Sequence, residues 1–255
     1  MKRLFPVVVV LVLVLLLSTP SSPRDISNLS DLPQLEKRLS SAYDQQPGTR
    51  QEIVYIRKAL TGTPVSRRGS MLHGIAAKTR WGTPERATAY YVCAWYGVDY
   101  DMCRDYLLNT LFWKRYYSHR PYPMFPYCWA EDTFVLLYDL YERNHDFRLL
   151  HEMVTKRSGK GFADGCGAET LDFLTVQAFA DHPRGMLHVA AMSSLGRELA
   201  TKALTRRLQG TEVDQESFDK AHSVFPSYVR RVAADRKDPL YGIARSLLKS
   251  AKAKS

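Results

Sequence analysis

Several of the spacings that announce chemistry are missing from this 255-residue sequence. It has no CxxC and no HxxxH, so a preset zinc site is excluded and no resident metal is expected. The order Gly-x-x-x-x-Gly-Lys-Ser/Thr is absent, and with it a phosphate-cradling loop. No Gly-x-Ser-x-Gly elbow presents a serine nucleophile. Nothing points to a cofactor. Sustained alternation of apolar and polar residues is also lacking, which removes sheet-based folds from consideration. Cysteine is scarce, with Cys93, Cys103, Cys128 and Cys166 the only four.

Hydrophobic residues make up 45% of the chain, enough to build a core and to exclude a disordered polymer. The formal charge of +10 favours anionic partners such as phosphate polymers, acidic glycans or a lipid surface. The first residues narrow that field. Lys2 and Arg3 precede an apolar run from Leu4 to Leu17 and then a polar "STPSSP", the layout of an export signal. The run is shorter than the roughly 20 residues that span a bilayer, while Pro20 and Pro23 obstruct several cleavage points. Residues 1–23 are therefore a signal peptide or a retained membrane anchor, and membrane contact would run through Leu4 to Leu17. The protein is expected outside the cytoplasm, secreted or anchored, with 24–255 as a single all-helical domain.

Export permits disulfides, and four cysteines allow three pairings. Cys93 with Cys103 would tie two consecutive helices across their turn, leaving Cys128 with Cys166. Four buried free thiols are the alternative.

Helical spacing dominates after residue 30. It predicts helices over 32–45, 49–60, 64–79, 84–96, 99–117, 129–143, 146–157, 167–181, 183–194, 195–209, 212–235 and 239–253, with Pro226 kinking or splitting the penultimate one. "GTP" at 62–64 and again at 82–84 is punctuation: Gly closes a helix, Thr caps the next, and Pro occupies its first turn. Pro183, after Asp181 or His182 as cap, repeats the pattern. The expected fold is all-α, an array of short helical hairpins arranged as a HEAT-like solenoid or as an irregular multi-helix bundle. The resemblance to HEAT repeats lies in helix length and pairing alone.

The most unusual stretch is "FWKRYYSHRPYPMFPYCW", Phe112 to Trp129. Prolines 121, 123 and 126 hold it extended, so Trp113, Tyr122, Phe125, Tyr127 and Trp129 beside Arg115 and Arg120 suit stacking on sugars and pairing with anions. The competing expectation is a loop that buries its rings as a satellite cluster. Glu131 and Asp132 fall in a first helical turn, where the helix dipole accounts for them. Together with His119 they are the only catalytic candidates. No histidine pair has the spacing of a metal site, and the glycines of Ser158 to Glu169 read as an interhelical loop. Ser193 and Ser194 read as small residues within a closely packed helix.

From Leu199 onward twelve lysines and arginines face six acids, so this region carries +6 of the total. Its last helix either caps the array or lies on an anionic surface. The functional expectation is a non-enzymatic interaction or scaffold module at the cell envelope, its partner a protein or an anionic or glycan component. Nucleic acid is disfavoured outside the cytoplasm. The alternative is a hydrolase acting on an envelope polymer.

Overall fold

A computed structural model describes residues 26–43, 47–79, 84–111, 130–156, 166–210 and 213–254. Twelve α-helices account for most of these, and no strand occurs among the described residues. In chain order they are α1 (Leu32–Tyr43), α2 (Pro47–Gly62), α3 (Arg68–Lys78), α4 (Pro84–Trp95), α5 (Tyr100–Leu111), α6 (Ala130–Asn144), α7 (Phe147–Lys156), α8 (Cys166–Asp181), α9 (Pro183–Met192), α10 (Ser194–Leu204), α11 (Gln215–Ala234) and α12 (Tyr241–Lys254).

Local chemistry sets the joints. At the end of α4 the Val98 amide donates to the Cys93 carbonyl at 2.8 Å and Gly97 donates to Ala94 at 3.1 Å, with Gly97 left-handed at φ 73°. This paired closure satisfies the last carbonyls and reverses the chain into α5. α10 ends the same way on Arg206, at φ 54°, where a side chain bears the strain that glycine avoids. Between α9 and α10 a single residue suffices. Ser193 is extended and its Oγ accepts from the Gly196 amide at 3.0 Å, so it caps α10 instead of lying inside a helix.

Two expectations about the joints need correction. After the first "GTP", Val65–Arg67 form a 3-10 turn and the α-helix begins only at Arg68. The Arg68 guanidinium donates to the carbonyls of Thr63 and Ile26, which ties this turn to the segment before α1. Pro226 does not split α11, which runs unbroken through it with the ring buried. His182 occupies the cap position of α9 without a side-chain cap bond.

Packing departs from a simple stack of neighbouring hairpins. α9 meets α7, α8, α10, α11 and α12, and Gly185 to Ala190 are buried without interruption. A helix covered on all sides is a bundle centre, not one layer of a solenoid. Around it, α8 packs extensively on α11, with Phe179 edge-on to Phe225 at 4.7 Å between centroids. The N-terminal helices join through α1 and α4 against α6 and α5 against α7. Asp31, just before α1, links that junction: it accepts from Trp95 Nε1 and the Tyr96 hydroxyl, both at 3.1 Å, and pairs with Arg143 at 2.6 Å.

Candidate functional site

Trp113, Arg115, His119, Arg120, Tyr122, Phe125, Tyr127 and Trp129 lie outside the described residues, as do Cys128 and Leu4 to Leu17. Glu131 and Asp132 fall in the first turn of α6, and Cys166 opens α8, as backbone positions only. Cys93 on α4 and Cys103 on α5 are brought together. Both are buried free thiols, Cys93 in hydrogen-bond contact with Cys103, whose Sγ donates to the Val98 carbonyl at 3.5 Å. That contact and burial push the Cys93 thiol well above its usual range.

Several polar clusters have architectural explanations. Arg104 is 3% exposed and serves three carboxylates, Asp101, Asp105 and Asp146, at 2.5, 2.7 and 2.9 Å. The Tyr100 hydroxyl donates to Asp146 as well, at 3.1 Å, so the start of α5 is clamped to the α6–α7 turn. Arg38 pairs with the buried Asp139, joining α1 to α6. His188 is buried on α9 and stacks on Phe147 at 4.0 Å. Burial first, then repulsion from Arg184, lowers its pKa to about 4 despite the opposing charge of Asp238, so it stays neutral at physiological pH. His182 meets Glu142 at 3.2 Å with Tyr138 and Tyr141 edge-on around it, and the exposed His73 pairs with Asp99. Among the described residues no group of three or more His, Cys, Asp or Glu could hold a metal.

A different arrangement stands out at the C-terminal end. A trough of about 890 Å³ opens between α11 and α12, with Leu204 of α10 at its base. Its uncharged lining is mostly apolar: Leu204, Pro226, Ala233, Ala234, Leu248 and Ala251, with the hydroxyl of Ser246. The alanines leave the space, because α11 and α12 carry methyl groups where longer side chains would close the gap. Four cations line the trough, Arg230 from α11 and Arg245, Lys249 and Lys252 from α12, and no carboxylate does. Arg245, Lys249 and Lys252 recur at i, i+4 and i+7, which sets them on one face of α12. Arg245 donates to the Tyr241 hydroxyl at 2.8 Å and Arg230 reaches Ser227 Oγ at 3.5 Å; neither contact neutralises a charge. None of the four forms an ion pair among the described residues.

Like charges at this spacing each cost an isolated helix about 0.2–0.5 kcal/mol. The helix C-terminus offsets part of that at Lys252, but not at Arg245 in the second turn. A second, smaller trough of about 590 Å³ lies beside the first, with Arg197, Lys202, Arg207 and Ser250 on its walls and Glu198 paired to Lys202 at 2.8 Å. The stripe on α12 was visible in the sequence. Its meaning was not, since the opposing Arg230 and the alanine-lined gap come from another helix.

What the trough can do follows from its make-up: attract an anion over a distance, hold it with up to four donors, and cover an apolar moiety. Its lining holds no carboxylate and no histidine, and Ser246 therefore has no base beside it there. Comparison with protein-family models, with curated proteins and with solved structures finds no match for the chain.

Proposed function

We propose that this protein is a non-enzymatic interaction module of the cell envelope that takes an anionic partner on its C-terminal α11–α12 face. The observation that carries the reading is the convergence of Arg230, Arg245, Lys249 and Lys252 on one trough without a lining carboxylate. Uncompensated cations on a shared face repel one another, and a bound anion removes that repulsion. The basic and apolar N-terminal run from Lys2 to Leu17 supports an envelope location.

Retention of the full chain on an immobilised sulfated polyanion, measured against salt, tests the reading. Wild-type protein should elute at clearly higher salt than the triple variant Arg245→Gln, Lys249→Gln, Lys252→Gln. Co-elution of the two, with helical content unchanged, would remove the trough as the contact site. Turnover of envelope polymers by the wild type, lost on substitution of Glu131 or Asp132, would instead favour the hydrolase.

A further inference from the structure

We propose that the occupant of the α11–α12 trough is an anionic lipid of a bilayer surface, its phosphate held by the cations and its acyl part laid on the apolar floor. This rests on the reading above and names the chemistry of the partner.

The floor decides between anions. A phosphate polymer or an acidic glycan is polar along its whole length and would press polar groups against Leu204, Pro226, Ala233, Ala234, Leu248 and Ala251, among which Ser246 offers the one neutral side-chain hydroxyl. Desolvation without a partner is unfavourable. An extended acidic peptide meets the same objection through its backbone. A molecule with one charged end and an apolar remainder matches both halves of the trough. The volume of about 890 Å³ lies within the range of roughly 300–1,000 Å³ in which small-molecule sites fall. Arg230, Arg245, Lys249 and Lys252 are exposed lining residues, and long cationic side chains of this kind can lay their methylene stems on apolar surface while the charged heads reach a headgroup. A retained apolar run from Leu4 to Leu17 would hold the trough beside such a surface.

The test is flotation of the full chain with vesicles of phosphatidylglycerol mixed into phosphatidylcholine, against pure phosphatidylcholine, at low and high salt. Each cation near an anionic surface is worth about fivefold in binding. The triple variant Arg245→Gln, Lys249→Gln, Lys252→Gln should therefore lose about a hundredfold of the phosphatidylglycerol-dependent component. A control lacking three exposed cations elsewhere, Lys58→Gln, Arg236→Gln, Lys237→Gln, should stay within about fivefold of wild type. Ala234→Glu, which sets a carboxylate at the trough, should weaken binding without altering helical content. The full chain carries Leu4 to Leu17 in every variant, so binding through that run cancels in the comparison. Equal losses in the triple variant and the control, or equal binding to both vesicle types, would overturn the proposal. If the triple variant loses polyanion retention but keeps wild-type flotation, the lipid is wrong and the anionic trough stands; if it loses neither, both fall.

Discussion

Replacing Gly196 by alanine puts a methyl group where α9 and α10 touch. A Cβ built there lies 2.7 Å from the Val189 carbonyl carbon, closer still to its oxygen, and 3.0 Å from Val189 Cγ1. Side-chain atoms can rotate away; a backbone carbonyl moves only if the end of α9 moves with it. Nor can α10 swing aside, because Ser193 alone connects it to α9 and its Oγ holds the Gly196 amide at 3.0 Å. Overpacking in a tight interior costs about 1–3 kcal/mol, and a backbone obstacle belongs at the upper end. Alanine recovers about 1 kcal/mol through helix propensity. The expected net effect is about 2 kcal/mol of destabilisation, a fall in Tm of about 4–8 °C for a chain of this length. Gly74, in the middle of α3 with nothing within 4 Å of a Cβ, is the matched comparison. Gly74→Ala should stabilise by up to about 1 kcal/mol. Urea unfolding followed by far-UV circular dichroism reads both. If Gly196→Ala proves neutral or stabilising, α9 and α10 do not approach as described, and the covered centre of the bundle is wrong.

Other perturbations test other joints. His188 has a folded-state pKa of about 4 against about 6.5 when unfolded, so between those values the unfolded chain binds more protons. Stability therefore falls as pH drops through that window, by about 3 kcal/mol for this group; His188→Leu should flatten that part of the pH–stability curve, and an unchanged curve would refute its burial as neutral imidazole. Arg104→Met leaves Asp146 and Tyr100 without their cation and should cost about 3 kcal/mol. A loss below about 1 kcal/mol would mean the clamp is a surface pair only. Cys93 and Cys103 should be joined in protein recovered from an oxidising compartment, adding about 3 kcal/mol by closing the intervening loop. Alkylation of both thiols in denatured, unreduced protein would refute that pairing.

Helix positions were readable from the sequence because apolar spacing, Gly97 after α4 and proline at the first turn of α4 and α9 each act locally. The exceptions also have local causes. Residues 65–67 tighten into a 3-10 turn where Arg68 is drawn toward Thr63 and Ile26. At Pro226 only one helical hydrogen bond is lost, to the His222 carbonyl, and the ring is buried on the side of α11 that lines the trough. Partners were not readable. The run of α9 looks like any short apolar helix, and nothing in it says that five others will cover it. Asp31 and Arg143 meet across more than a hundred residues of chain, a contact no spacing rule anticipates.

The candidate site shows the same division. The Phe112 to Trp129 stretch is conspicuous for its rings, whereas the trough is carried by common residues whose meaning is positional. Arg245, Lys249 and Lys252 alone read as a solvated stripe. Only the placement of Arg230, Ala233 and Leu204 from two other helices makes that stripe one wall of a cavity.

The central claim is that the α11–α12 trough takes an anionic partner. Hydrogen–deuterium exchange of the full chain, with and without phosphatidylglycerol vesicles, tests it most directly because it locates contact along the sequence. The account predicts slowed exchange concentrated in 226–252, reduced in the Arg245→Gln, Lys249→Gln, Lys252→Gln variant. Protection confined to Phe112 to Trp129, or no vesicle-dependent protection between 226 and 252, would contradict it.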